Sequence, residues 1–349
     1  MNRIPSLDGW RGIAILLVLF EHMQISTIGS LLRPWTQTGQ HGVNIFFVLS
    51  GYLITAKLLE RPIDLKHFYL RRFFRLMPVA WAYLLVIWLL LVRRAVPIVS
   101  VREVVSCLFF FRNFLGSGTA EHPTSLYTFH FWSLSLEEQF YLVWPCLLFL
   151  AGRRNALWIA IGGALTCASY RFLHWSAYDQ FPAFFLSQVR ADALLVGCIL
   201  ALLLAKQRFL SIATRWSLYL AWPSFAVLLI CMAYFQRLIP LFENLAIAGL
   251  IAFTTLHPKA IASRFFSFAP LAWLGVISYS VYVWQQIFTY AKLRPSDGSS
   301  YYILMCLMPL CAIVSYYYVE RPFIRLGYWL TREIAPTTPG TVEPAEVAY

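Results

Sequence analysis

Apolar runs of 17 to 22 residues recur ten times along the chain, at 8–29, 41–59, 76–93, 132–151, 155–174, 188–205, 216–235, 241–257, 271–290 and 302–320. Crossing a hydrocarbon layer of about 30 Å takes roughly 20 apolar residues in a helix. Inside that layer the backbone must satisfy its own hydrogen bonds, which helices do. The pattern therefore predicts an all-α polytopic membrane protein with about ten transmembrane helices. Composition agrees: 60% of residues are hydrophobic and only 13% charged, where a soluble domain has about a quarter. The first run is not read as a cleaved signal peptide. It is too long, it contains Glu21 and His22, and no small-residue cleavage site follows.

The formal charge is +12. Lys and Arg collect in short loops, as positive-inside sorting dictates, and nucleic acid is not an expected partner. The basic stretches 60–75, 152–155, 206–215, 257–264 and 320–332 are expected on the cytoplasmic side, and the Lys- and Arg-free loop 116–131 outside. These assignments agree only if the apolar but charged segment 98–115 does not cross. Both termini are then cytoplasmic. The membrane domain is expected over 1–333, and the Pro- and Thr-rich stretch 334–349 as a disordered tail. Seven cysteines, most of them inside apolar runs and none in a C-x-x-C pair, read as packing residues. No zinc spacing is present and no metal is expected.

Ionisable groups inside the membrane are expensive and mark function by default. Arg11 and His22 are eleven steps apart, hence within about 20° on one helix face and roughly 16 Å apart along it. This places Arg11 near the cytoplasmic headgroups and His22 near the midplane. Glu21 stands beside His22. In "HFYLRRFFRLMP", Arg71 and Arg75 share a face with Arg72 beside them. They read as a positive-inside anchor or as a clamp for phosphate, which suits the guanidinium fork. Glu137 and Glu138 enter a later span with Gln139 and Tyr141, an acidic and aromatic group suited to an outer cavity for a polyhydroxyl ligand. Asn44 is a polar position for lining a cavity. Gly42, Ser50 and Gly51 permit close helix packing. Arg190 and Asp192 read as a pair. Tyr279, Tyr282, Trp284, Gln285 and Gln286 offer rings and amides, which suit a sugar or an interfacial aromatic belt.

The stretches "LDGWRGIAILLVLFEH", "GVNIFFVLSGYLIT", "FYLRRFFRLMP", "HFWSLSLEEQFYLVWP", "RADALLVG", "SYSVYVWQQ" and "VERPFIRL" together resemble the acyltransferase 3 family of membrane acyltransferases. They occur in the family's order and span nearly the whole chain. The resemblance is to its ten-helix membrane domain, not to the fused extracytoplasmic esterase-like domain of some members. It implies transfer of an acyl group, acetyl above all, from cytoplasmic acyl-CoA to a hydroxyl of an exported carbohydrate: an exopolysaccharide, an O-antigen or a lipid-linked glycan. The setting is an integral protein of the bacterial inner membrane, in contact with membrane lipid. The family's Arg-x10-His pattern falls on Arg11 and His22, its acidic motif on Glu137, and its arginine cluster on Arg71, Arg72 and Arg75. Two positions depart from it. Asn44 stands where an acidic residue is usual, and Trp284-Gln285-Gln286 where Trp-His-Gln is.

On this reading His22 is the general base, since an imidazole titrates near neutrality, and Arg11 lies on the path of the acyl arm. Arg71, Arg72 and Arg75 hold the nucleotide phosphates. Asn44, Glu138, Tyr141, Trp284 and Gln285 meet the acceptor. Two readings compete: a proton-coupled transporter or flippase of a glycan, with Glu21 and His22 as relay, and a non-catalytic scaffold. No internal repeat of the transporter kind is evident.

Overall fold

The computed structural model describes residues 4–23, 38–60, 64–93, 99–115, 126–174, 186–233, 239–289 and 298–331. The stretch 334–349 and most of the loop 116–131 lie outside the described residues. Every described element is helical. The helices are α1 (Pro5–Met23), α2 (Thr38–Glu60), α3 (Leu65–Val92), α4 (Val101–Leu108), α5 (Leu126–Phe129), α6 (Phe131–Leu173), α7 (Ser187–Arg190), α8 (Asp192–Leu204), α9 (Gln207–Ala233), α10 (Ile239–Leu256), α11 (Ile261–Phe266), α12 (Ala269–Val276), α13 (Ser278–Thr289), α14 (Gly298–Ser315) and α15 (Arg321–Leu330), with a π-helical turn at Tyr316–Glu320 before α15.

Each expected apolar run holds a helix. Among the described residues, four helical stretches are long and apolar enough to cross a membrane: Thr38–Glu60, Leu65–Val92, Tyr127–Leu173 and Gln207–Ala233. They mark an integral membrane protein. At 43 residues, α6 would measure about 65 Å, twice the hydrocarbon thickness. Gly152 divides it, at φ 69 and ψ 166, a conformation that glycine adopts without steric cost. The break falls between the expected runs 132–151 and 155–174. Just beyond it, Arg153 donates to the Leu59 carbonyl at 2.7 Å, placing a cation on the C-terminal dipole of α2. At the start of α3, Asp64 accepts the His67 backbone N–H at 3.0 Å. That bond holds its carboxyl below the usual range.

Other runs are less continuous than the apolar pattern predicts. The run 188–205 is interrupted at Ala191, between α7 and α8, and 271–290 at Ile277, between α12 and α13. The segment 98–115 forms only the eight-residue α4 and a short 3-10 turn, about 12 Å of α-helix. That is too short to cross. Glu103 and Arg112 are buried against the bundle, whereas Arg102 is exposed: Thr128 Oγ1 donates to Glu103 Oε1 at 3.1 Å, and the Arg112 backbone N–H donates to Ser135 Oγ at 3.1 Å.

Close backbone approach centres the bundle on α1 and α2. A Cβ added to Gly42 would sit 2.4 Å from the Ala14 carbonyl oxygen, one on Gly12 2.3 Å from that of Leu271, and one on Gly275 1.8 Å from that of Asp8. Gly51 and Gly197 interlock α2 with α8 in the same way, against the Leu194 and Val48 carbonyl oxygens. The packing role expected of Gly42 and Gly51 is therefore met, whereas α9 is peripheral and buries only Ser217, Leu228 and Cys231. Cys107, Cys167, Cys198 and Cys231 are buried as packing residues.

A Gly51→Ala substitution should destabilise the protein by about 1–3 kcal/mol, the cost of overpacking, because its methyl meets backbone 1.9 Å away. Gly162→Ala is the control. Nothing lies within 4 Å of its added Cβ, so helix propensity should make it neutral or stabilising by about 0.5–1 kcal/mol. Thermal unfolding in detergent separates the two, and equal midpoints would contradict the interlock.

Candidate active site

A cavity of about 70 Å³ opens where α1, α2, α3, α6, α12 and α13 meet. Its polar lining comes from Arg11, Ser50, Arg72, Arg75, Ser133, Glu137, Ser278, Tyr279 and Tyr282, and its apolar wall from Val43, Phe46, Phe47, Leu76, Leu134 and Val276. A water needs about 10–15 Å³ of such space. The cavity therefore has room for a slender chain or for about five to seven waters.

Arg72 organises the polar side. It lies 3.4 Å from Glu137 Oε1 and 3.4 Å from Glu138 Oε1, with its guanidinium 3.5 Å over the Tyr141 ring. Glu137 Oε1 also accepts the Ser50 hydroxyl at 2.5 Å and the Tyr141 hydroxyl. This corrects the expectation of an outer acidic mouth apart from the arginine cluster. The two carboxylates are neutralised by that cluster, which is how they sit inside the bundle at tolerable cost. Ser50, expected as a packing residue, is a hydroxyl donor in the cavity.

Arg11 and Arg75 also face the cavity, and neither has a hydrogen-bond or ion-pair partner among the described residues. The N-terminus of α13 adds to their positive field, since Ser278 and Tyr279 open that helix in the cavity wall. Arg71 departs from the clamp expected of it. Its Nε donates to Thr331 Oγ1 at 2.6 Å and its Nη2 to the Thr331 carbonyl at 3.3 Å, so it ties α3 to the end of α15.

Glu21 and His22 divide their roles. Glu21 accepts the Gly39 backbone N–H at 2.6 Å, capping the first turn of α2, and Thr38 donates to the Leu17 carbonyl at 3.1 Å. Glu21 is thus a brace between helices. His22 Nδ1 lies 2.8 Å from the Val18 carbonyl. A carbonyl only accepts, so Nδ1 carries the proton and Nε2 keeps its lone pair. His22 is half-buried near the end of α1 and is not part of the cavity lining, whereas Arg11 is.

Asn44 is not in the cavity either. It donates to Glu243 Oε2 at 2.9 Å and accepts from Arg190 at 2.8 Å, deep between α2 and α10, where His41 also meets Glu243 at 2.8 Å. Arg190 and Asp192 are not a pair. Arg171 makes the two bonds to Asp192, at 2.7 and 3.1 Å, with Asn244 adding a third at 3.2 Å. Adjacent positions across a helix break point apart, so sequence neighbours found different partners. Glu243 had a sequence signal, a carboxylate in the apolar run 241–257, but nothing local names its partners 200 residues away. Trp284 and Gln285 are buried and are not part of the cavity lining.

The acyltransferase domain profile of the acyltransferase 3 family matches residues 4–331. The chain belongs to that family. Among curated proteins it is similar to the peptidoglycan O-acetyltransferase OatA of Listeria monocytogenes, 32% identical over 311 residues, covering 80% of this chain and 48% of the relative. It is also 28% identical to the putative peptidoglycan O-acetyltransferase YrhL of Bacillus subtilis, covering 93% of this chain and 55% of the relative. The O-acetyltransferase OatA of Staphylococcus aureus is 29% identical, with 93% and 58% covered. The chain spans about half the length of these relatives. No solved structure matches it. Of the residues singled out in the sequence, Arg11, Ser50, Arg72, Arg75, Glu137, Tyr279 and Tyr282 meet at one cavity.

Replacing Asp192 by Ala should cost about 3–5 kcal/mol, because it strands the buried Arg171 guanidinium. The loss should appear as a lower yield of folded protein and a lower unfolding midpoint, without a selective rise in acceptor KM. A selective KM effect at normal stability would move this network into the active site.

Proposed function

We propose that the chain is a membrane O-acyltransferase that moves an acetyl group from acetyl-CoA to a hydroxyl of a cell-wall or other exported carbohydrate. The observation that carries this reading is that two guanidiniums face one narrow cavity, Arg11 from α1, the helix that also bears His22, and Arg75 from α3, neither with a hydrogen-bond or ion-pair partner among the described residues. An anionic donor with a thin acyl-bearing arm suits such a cavity. Arg75, with Arg72, attracts the phosphates; Arg11 lies further along the path of the arm. The relatives named as peptidoglycan O-acetyltransferases support a glycan acceptor.

In this scheme His22 Nε2 takes the proton of the acceptor hydroxyl while its oxygen bonds to the thioester carbonyl carbon. The C–S bond then breaks, the ester departs, and the imidazolium returns the proton to the coenzyme A thiolate. Glu137 acts by keeping Arg72 in place, together with Glu138 and Tyr141. Trp284 and Gln285 orient the acceptor. Gln285 can hold a hydroxyl but not deprotonate it, because an amide takes up no proton near neutrality. The same reading places the donor side in the cytoplasm of a bacterial cell, with ten spans and both termini inside.

Reconstituted protein supplied with acetyl-CoA and a glycan acceptor should release free thiol in step with acetylated product. His22→Ala should lower that rate 10²- to 10⁴-fold, the usual worth of a positioned base, at unchanged folding. A folded variant that keeps more than about a tenth of the rate would remove His22 from the base role.

Arg75→Ala should raise the donor KM by roughly 10- to 150-fold, equivalent to about 1.5–3 kcal/mol for a charge-assisted contact. Arg71→Ala should leave it within a factor of about two, since Arg71 is held by Thr331. The reverse order would relocate the phosphate site.

A further inference from the structure

Between α5 and α6, His130 is buried behind the cavity. Its backbone carbonyl accepts the Tyr282 hydroxyl at 3.2 Å and the Ser133 hydroxyl at 3.2 Å, and those two cavity-lining hydroxyls lie 2.6 Å apart. The imidazole stands edge-on to Tyr83 and Phe131, with ring centroids 5.2 and 4.9 Å away. Its Nε2 lies 3.1 Å from the Val283 carbonyl. A carbonyl fixes the proton on Nε2, so Nδ1 presents a lone pair, and that atom is buried with no partner.

The same region concentrates buried polar atoms that lack partners. Trp284 Nε1, both amide atoms of Gln285 and Gln286 Oε1 are all unsatisfied, and they follow directly on Val283. Trp284 and His130 pack against the same Tyr83 ring, at 5.6 and 5.2 Å. A buried unmade hydrogen bond is costly, and native interiors leave few of them. The orphaned set alternates acceptors (His130 Nδ1, Gln285 Oε1) with donors (Trp284 Nε1, Gln285 Nε2) and carries no opposite charge to attract an ion. That is the complement of neutral hydroxyl or acetamido groups, each a donor and an acceptor at once.

We propose that His130 is a second imidazole that seats the carbohydrate acceptor, its Nδ1 accepting a hydrogen bond from one of the acceptor's hydroxyl groups. This rests on the acetyl-transfer reading above and adds the residue that seats the acceptor. His130 takes up no proton in this role. Its ring is oriented by the Val283 carbonyl, and the proton of the reacting hydroxyl goes to His22.

Two substitutions divide the imidazole between its nitrogens. His130→Asn places an amide where Nδ1 was and loses the Val283 bond. His130→Gln reaches the Val283 carbonyl and loses the group at Nδ1. With acetyl-CoA and a lipid-linked muropeptide as probes, His130→Gln should raise the acceptor KM about tenfold at unchanged donor KM. His130→Asn should stay within about threefold of the parent. A purely structural histidine predicts the opposite order, with Asn the damaging change, and that order or equal effects would overturn the proposal. Trp284→Phe keeps the ring and removes the orphaned N–H, so it should also raise the acceptor KM several-fold; an unchanged value would count against the subsite even if both His130 variants fail to fold. If the parent protein itself releases no thiol with acceptor present, the acetyl-transfer reading fails. If the parent transfers acetyl and the variants do not discriminate, only the role of His130 falls.

Discussion

Arg72 is the charge on which the centre of this bundle depends. Two adjacent carboxylates, Glu137 and Glu138, enter the interior on α6, and an ionised carboxylate without a partner in so poor a dielectric is costly enough to expel the helix or to hold a proton. One guanidinium meets both, with the Tyr141 ring beneath it. Ser50 and Tyr141 add hydroxyl donors to Glu137. With Arg72 so engaged, its cavity neighbours Arg11 and Arg75 are the guanidiniums without a hydrogen-bond or ion-pair partner among the described residues.

That arrangement holds only because α1 is placed with little freedom. Gly42 lets α2 close on the Ala14 carbonyl, and Gly12 and Gly275 bring α12 to the same helix. Glu21 then fastens the far end of α1 to the first turn of α2. A helix held at both ends and along two sides keeps Arg11 in the cavity while His22 stays near its opposite end. The Val18 carbonyl sets the His22 tautomer and leaves a lone pair on Nε2, as the proposed role of His22 as base requires.

The second buried polar system, around Glu243 and Asp192, has a different character. Its carboxylates are met by His41, Asn44, Asn244 and Arg171, and its members lie between helices rather than along the cavity. Networks of this kind are costly to break and specify one packing among alternatives where every member finds a partner. Asn44 belongs to it, bonded to Glu243 and Arg190, which accounts for a polar residue buried on α2.

The sequence by itself determined the helical membrane class, the helix in each apolar run, and that Arg11, Arg72, Arg75 and Glu137 are costly charges in or near apolar runs. Those properties follow from local rules: hydrophobic run length, helical periodicity and the cost of charge in an apolar medium. Only the tertiary structure decided which charges meet. Glu137 went to Arg72 rather than to a separate outer mouth, Asp192 to Arg171 rather than to Arg190, Arg71 to Thr331, and Glu21 to the N-terminus of α2. The physical reason is that an ion pair or a helix cap is chosen by distance across a packed interface, here between helices 18 to 260 positions apart. Sequence spacing fixes the face a residue occupies on its own helix and carries no information about which other helix will lie against it.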